Sequence, residues 1–579
     1  MAYFLRKTKR KNGDVYFQIY DSYYSLPEKK NKNKSVRKLG LLSKLRKDGE
    51  SAPECEERLK KAAAARERER KQAAMEEIGD GPGAVNYGYF LLEGMADYLG
   101  AKKGIDLLAF GSRIGFRLSD VLFPLAEARA VDPCSKRKTF AEVFPARFGD
   151  PSRKASMGQR YEGLCLLGES CQDVIDILNL AVDKHFGRDR RRVYFDCTNY
   201  YFEIDCESGI KRKGPSKENR TDPIVSMALM LDSDLIPYQR EVFPGNESEK
   251  PHLPRARRKA REDRGSKAKI VQVADKGLNC AENIRGCGKN DGYIFSKSPK
   301  MMAEKDLEWR FCADGWKDVR DSDGNLAYRY KAVTDSYPYE CKGEDGKAVK
   351  FWRAEKRIAT FSPSLRKKQC IEIARQYGKA SAKTAKARIK EAIGGRNAKR
   401  VRVGVADAST GEELEGAEVR VSGDKERLAK DRKLAGYNLL VTSETGMDSR
   451  EVYHVYHQLW NIERTFRRRK TQLDARPVYV STDDAIRGHF LTCYTAVLLV
   501  RLLEKKVFRG KFTAEEILAY VRKAWAAETG NGEYLNLLKR KDAAIGEYRQ
   551  KATGLPLMKK GLTAERISSF FKAFRKQGE

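Results

Sequence analysis

Histidine is scarce in this chain, five in 579 residues, and the twelve cysteines never form a C-x-x-C pair or fall beside the histidines in an arrangement that suits zinc. That pattern speaks against a zinc module and leaves the thiols as reduced, mostly structural side chains. Long apolar runs are missing as well. The longest, FLTCYTAVLLV from Phe490 to Val500, stops at Arg501, well short of the ~20 residues of a membrane-spanning helix. The opening MAYFLRKTKRKNGDVYFQIY carries charge with no apolar stretch behind it, so no signal peptide is readable and a cytoplasmic protein is expected. No internal repeat is visible.

What the chain has in excess is positive charge. Lysine and arginine number 115 against 81 aspartate and glutamate, a formal net charge of +34, and a surplus of that size points to a polyanionic partner such as nucleic acid. Hydrophobic residues still make up 41%, enough for a real core rather than a disordered basic tail. The length predicts roughly four structural units at about 150 residues each.

Residues 1–48 alternate short β-prone runs such as DVYFQIYDSYYSL with basic turns, which predicts a small β-meander and a candidate DNA-binding piece. Residues 49–82 are alanine-rich with mixed charge and predict an exposed helical connector. Residues 83–189 show helical periodicity, broken near Pro133, and read as a helical domain for DNA-end binding or dimerisation. From Arg190 the pattern changes to alternating aromatic and β-branched residues. The order over 190–300 is strand, hairpin, helix, strand, helix, strand, a sheet flanked by helices. Residues 301–435 interrupt it with polar β-like pieces and a basic helix. Residues 436–505 resume it with the strand GYNLLVTS and a long helix N-capped by Asp448 or Ser449. A helical region is expected over 506–579.

Three acids stand at positions where sites gather: Asp196 in the strand VYFD, Asp275 closing IVQVAD, and Glu463 within the basic helix stretch NIERTFRRRK. Carboxylate oxygens are natural ligands of Mg²⁺, and two such ions about 3.5 to 4 Å apart serve phosphoryl transfer. Among 81 acidic residues, an acid at a strand end is also commonly just solvated or capping.

The strings YFDCTNYYFE (194–203), GPSKENRTD (214–222), VFPGNESE (242–249), VADKGLNCAENI (273–284) and YHQLWNIERTFRRRKTQLDARPVY (456–479), in this order, resemble bacterial insertion-sequence transposases of the DDE class. The group they resemble carries a Y-R-E-K signature and a long insertion before the last acid. The resemblance runs from about residue 1 to 505. It implies a multidomain α+β protein with a ribonuclease-H-like α/β catalytic core, interrupted by a β-rich insertion and flanked by helical domains. That agrees with the element order read above. It places the family's three acids on Asp196, Asp275 and Glu463, as catalytic residues and ligands of two Mg²⁺ or Mn²⁺ ions. The implied reaction nicks a transposon end with water and uses the freed 3′-hydroxyl for strand transfer. The implied partners are terminal inverted repeats and target DNA, bound by a homodimer in a bacterial cytoplasm and on the nucleoid.

The signature is incomplete here, because its arginine falls on Leu459 while Tyr456, Glu463 and Lys470 match. Positions seven apart drift only ~20° on a helix, so these residues share one stripe. Tyr456 and Lys470 are expected to hold phosphate, with Arg467 substituting for the missing arginine. Alternatively Leu459 is a core residue and Glu463–Arg467 an ordinary i,i+4 pair. Lys217, Asn219 and Arg220 in GPSKENR are phosphate contacts or a solvated turn. Trp309, Trp316 and Trp352 either pack or, as in the wider class, stack a flipped base. His489 is read as a residue that packs or makes a structural hydrogen bond. The rival functions are a metal-dependent nuclease that cuts without joining and a non-catalytic DNA-binding regulator derived from a transposase.

Overall fold

The computed structural model describes residues 2–11, 13–25, 30–78, 83–215, 221–262, 269–288, 290–297, 304–343, 345–381, 401–406, 418–423, 425–459, 478, 480–530 and 532–572. The chain forms two units. One comprises Met1–Phe90, Ala146–Gly149 and Ala519–Ala573, and the other Leu91–Pro145, Asp150–Leu518 and Phe574–Glu579.

In the first unit β1 (Ala2–Lys9), β2 (Val15–Ser25) and β3 (Lys30–Leu41) form an antiparallel sheet in that order. Alternation sends Leu5, Val15 and Phe17 to one face, where Phe17 packs with Cys55 and Leu59 of the helix Ala52–Ile78. That helix starts in a reciprocal cap: Glu54 accepts from the backbone N–H of Ser51 at 2.8 Å, and Ser51 Oγ accepts from that of Glu54 at 3.4 Å. A fourth strand, β4 (Ala84–Asn86), follows.

The second unit is built on a nine-stranded sheet. Strands β5 (Arg192–Tyr201), β6 (Ile224–Leu231) and β7 (Pro237–Pro244) are antiparallel neighbours. β8 (Val271–Ala274) lies parallel to β5, and β9 (Gly292–Lys297) parallel to β8. The helices His252–Glu262 and Ala281–Gly286 form the two crossovers and supply Leu253 and Ile284 to the core under one face of this sheet. Across from them Val193, Phe195, Tyr293 and Phe295 fill that core.

The polar β-like pieces of 301–435 do not all stand apart from this sheet. β10 (Lys317–Arg320), β11 (Leu326–Lys342) and β12 (Ala348–Phe361) extend its edge, while β13 (Val401–Ala406) and β14 (Glu418–Gly423) form a separate pair. β15 (Tyr437–Thr442) sits between β12 and β9, giving the order β10-β11-β12-β15-β9-β8-β5-β6-β7. Buried Glu355 on β12 ties the added strands to the core. It accepts from the phenols of Tyr293 on β9 and Tyr339 on β11, both at 2.6 Å, and from Arg357 Nε at 3.2 Å. A charge without that set of donors would be costly at such a depth.

A helical layer completes this unit. Its centre is the helix Asp483–Leu502, buried nearly throughout, which packs on Leu118–Val131 and Met157–Glu169. The apolar run from Phe490 to Val500 is therefore spent on packing.

The region 506–579, expected to be helical, contains the helices Ala514–Lys523, Ala544–Thr553 and Ala564–Lys572, and also β16 (Trp525–Gly530), β17 (Glu533–Asn536) and β18 (Gly561–Thr563). β16 pairs with β4, so residues 83–90, read as the start of a helical domain, belong with the first unit instead. The strands are short and pair across more than 400 residues, with Trp525 opposite Asn86. Local periodicity carries no signal for such a partnership.

Candidate active site

β5 is buried along its middle except at one residue. Val193, Tyr194, Phe195 and Cys197 are sealed, while Asp196 is partly exposed. Val193, Phe195 and Cys197 point into the helix-covered core, so Arg192, Tyr194 and Asp196 share the other face. On β8 the core residues Ile270 and Ala274 leave Val271, Val273 and then Asp275 on that same other face. The parallel register runs from Arg192↔Val271 to Phe195↔Ala274. One residue further along both chains, Asp196 stands beside Asp275, on strands spaced about 4.8 Å apart. β8 ends at Ala274, and Asp275 emerges exposed at its tip.

β9 adds a residue that the sequence reading missed. Its parallel register, Ala274↔Phe295, sets Ser296 on the far side of Asp275, and the Ser296 hydroxyl donates to Asp275 Oδ1 at 3.1 Å. The signal available beforehand was weak: in GYIFSK, Ser296 is the one polar position on the face opposite Tyr293 and Phe295.

A helix over 449–459 lies against the acid-bearing face. Asp448 caps it, accepting from the backbone N–H of Arg450 at 2.8 Å and of Glu451 at 3.3 Å, and these bonds hold its carboxyl below the usual carboxylate range. Val452 and Val455 are buried, and with Tyr456 and Leu459 they follow the i, i+3, i+4, i+7 spacing of one helix face. Glu451 pairs with Arg192 at the start of β5. Tyr456 donates its hydroxyl to Asp275 Oδ1 at 3.1 Å. Tyr453 stacks on Tyr328 of β11, centroids 3.8 Å apart with 11° between planes, and His457 stacks on Tyr453 at 3.8 Å. Burial pushes the His457 imidazole below its ordinary value, which keeps it neutral at pH 7. The helix is thus positioned by three strands at once.

Of the residues picked out beforehand, Asp196, Asp275 and Tyr456 are brought together. The phenol of Tyr456, expected to hold phosphate, is engaged with a carboxylate. Glu463, Arg467 and Lys470, and also Lys217, Asn219 and Arg220, lie outside the described residues. Trp309 and Trp316 pack against the sheet core, with Lys331 Nζ 5.1 Å from each ring, whereas Trp352 is 67% exposed on β12. His489 is buried, its Nδ1 3.2 Å from Nζ of Lys136.

Two aspartates offer the hard oxygen donors that a divalent cation such as Mg²⁺ takes. Both side-chain hydrogen bonds that Asp275 accepts from described residues reach Oδ1. Among the described residues no three His, Cys, Asp or Glu side chains cluster, and the donor set seen here is two carboxylates.

Residues 206–499 match the family of the transposase DDE domain. The match spans just over half of the chain, and the chain belongs to this family. It includes Asp275, Glu463 and every strand from β6 to β15, and begins beyond Asp196. No curated protein matches the chain. The protein is accordingly a transposase-family enzyme whose partner is DNA, in a family that generally uses divalent metal ions.

Proposed function

We propose that this protein binds the ends of an insertion sequence, cleaves them, and joins the freed 3′-hydroxyl to target DNA, with Asp196, Asp275 and Glu463 as its catalytic acids. The observation that carries the reading is the parallel register of β5 and β8, which ends at Phe195↔Ala274 and sets Asp196 and Asp275 next to each other one residue further on. The order β7-β6-β5-β8-β9, three strands antiparallel and two parallel, supports a ribonuclease-H-like core. β10–β12 are then part of the insertion that precedes the last acid in the Y-R-E-K group.

Asp196, Asp275 and Glu463 would hold two Mg²⁺ or Mn²⁺ ions, which supply an activated attacking oxygen and a stabilised leaving oxygen. The chain's own contribution is orientation. Ser296 and Tyr456 fix the rotamer of Asp275 by occupying Oδ1, and Arg192 with Glu451 anchors the helix that carries Tyr456. Glu463 follows Tyr456 by seven residues in the sequence, and the cations Arg467 and Lys470 beyond it hold DNA phosphates. Lys217, Asn219 and Arg220 contribute further phosphate contacts. The working form is a homodimer on paired ends in the bacterial cytoplasm.

The test uses duplexes made from the DNA flanking the coding sequence, pre-cut at the 3′ end, incubated with Mg²⁺ and a target plasmid. Plasmid carrying a new 3′ linkage is the expected product, and Asp196→Ala is expected to abolish both cleavage and joining. Cleavage without any joined product makes the protein a simple nuclease. Mg²⁺-dependent cleavage that persists in Asp196→Ala removes the catalytic assignment.

A further inference from the structure

The sheet β1–β3 has one face on the helix Ala52–Ile78 and, among the described residues, one face open. Leu5 opposite Ile19 and Lys7 opposite Phe17 lie on the helix side, where Lys7 Nζ binds Glu56 at 3.0 Å. The alternate pairs, Phe4↔Tyr20, Arg6↔Gln18 and Thr8↔Tyr16, therefore stand on the open face. The β2–β3 register adds Lys38 opposite Gln18 and Ser35 opposite Tyr20. Arg6 lies over the Tyr20 ring at 5.0 Å and Arg10 over the Tyr16 ring at 4.8 Å, while the Tyr20 hydroxyl donates to Gln18 Oε1 at 3.2 Å. Arg6, Arg10 and Lys38 are exposed. Among the described residues no carboxylate joins them: Asp21 alternates with Ile19 to the helix side, and Asp14 is bound by Ser43 in the turn region.

We propose that this open face is a duplex-DNA reading surface that lies in the major groove; the inference rests on the transposase reading above and names where on the chain the DNA is recognised. Three strands about 4.8 Å apart span roughly 10 Å, which fits a major groove about 12 Å wide. Sheets are known to read DNA in this way. Arginine, lysine, glutamine and serine are the side chains that contact phosphates and base edges. Guanidinium groups already resting on tyrosine rings lose less freedom on binding. Duplex RNA is disfavoured as the occupant, since its major groove is too deep and narrow for side chains to read.

The experiment uses the full chain in EDTA, so that binding is read apart from cleavage. Duplexes selected by the wild-type protein from a random pool serve as probe, followed by fluorescence anisotropy between about 50 and 200 mM salt. Arg6→Ala/Arg10→Ala/Lys38→Ala is expected to weaken binding at least about tenfold and to flatten the log–log salt slope by roughly 0.9 for each phosphate that the variant no longer neutralises. Gln18→Ala is expected to reduce the preference for the selected duplex over a scrambled one several-fold, and 7-deazapurines in the probe to weaken wild-type binding. Lys60→Ala, on the helix behind the sheet, leaves binding unchanged. If the triple variant melts lower than wild type, Lys38→Ala alone and the 7-deazapurine probe decide. Wild-type affinity and slope in the variants, an undiminished 7-deazapurine complex, or equal binding of duplex RNA overturns the proposal. A failure of Mg²⁺-dependent joining with this binding intact counts against the transposase reading alone.

Discussion

The phenol of Tyr456 donates to Oδ1 of Asp275 at 3.1 Å, joining a helix face to a strand tip 181 residues earlier in the chain. The contact makes Tyr456 a positioning residue for a carboxylate that also accepts from Ser296. Tyr456→Phe keeps the ring and removes only the donor. A hydrogen bond to a charged group contributes about 1.5 to 3 kcal/mol, so the metal concentration for half-maximal cleavage is expected to rise about tenfold. At saturating metal the rate should recover substantially. A Mg²⁺ titration of initial rates checks it, and an unchanged midpoint counts against the positioning role.

Ser296 and Tyr456 address the same oxygen. Ser296→Ala is expected to shift the metal midpoint in the same direction, and the double variant Ser296→Ala/Tyr456→Phe to depart from additivity by about 0.5 kcal/mol or more, as groups sharing one partner do. A strictly additive cycle means that the two hydroxyls act independently.

Two glycines let the central helices touch backbone to backbone. A Cβ at Gly488 would come within 1.9 Å of the Leu164 carbonyl oxygen, and one at Gly168 within 1.9 Å of that of Asp484. Gly488→Ala is expected to destabilise the second unit by about 1 to 3 kcal/mol or more through overpacking, read as a lower midpoint in urea. Since helix propensity alone favours alanine by about 1 kcal/mol, a stabilised variant would show that the helices separate freely.

Lys136 gives stability a pH dependence. Burial, with repulsion from Arg129, pushes its ammonium from an ordinary 10.5 down to about 7, beside His489. Between those values the unfolded chain holds a proton that the folded chain has released, so this group's contribution to stability rises with pH across the window and is lowest below pH 7. Lys136→Met is therefore expected to melt higher than wild type near pH 6.5, by an amount that shrinks toward pH 9. A difference that stays constant between those two pH values would mean that Lys136 titrates normally.

Much of the core was legible because its signals are local. RVYFDCTNYY alternates large apolar with other residues, and IVSMALML and YQREVF flank a turn. The stop at Asp275 after the short strand VQVA marks a strand end. Asp448 caps its helix through its own neighbours, Arg450 and Glu451. Less legible were the strands of the last region. β16 contains WAAETG, whose alanines read as helix, and becomes a strand because Trp525 and Ala526 find β4.

Composition and periodicity determined most strands and helices of the core, which face of each is apolar, and that the whole is strongly basic, since these depend on side chains a few residues apart. Tertiary structure alone decided that the strands bearing Asp196 and leading to Asp275 lie side by side, that Ser296 and Tyr456 share one carboxylate oxygen, and that β10–β12 lengthen the core sheet. Strand register is set by backbone hydrogen bonds, which are nearly alike for every residue, and by packing between segments far apart in the chain. A local pattern therefore announces a core strand without naming its neighbour.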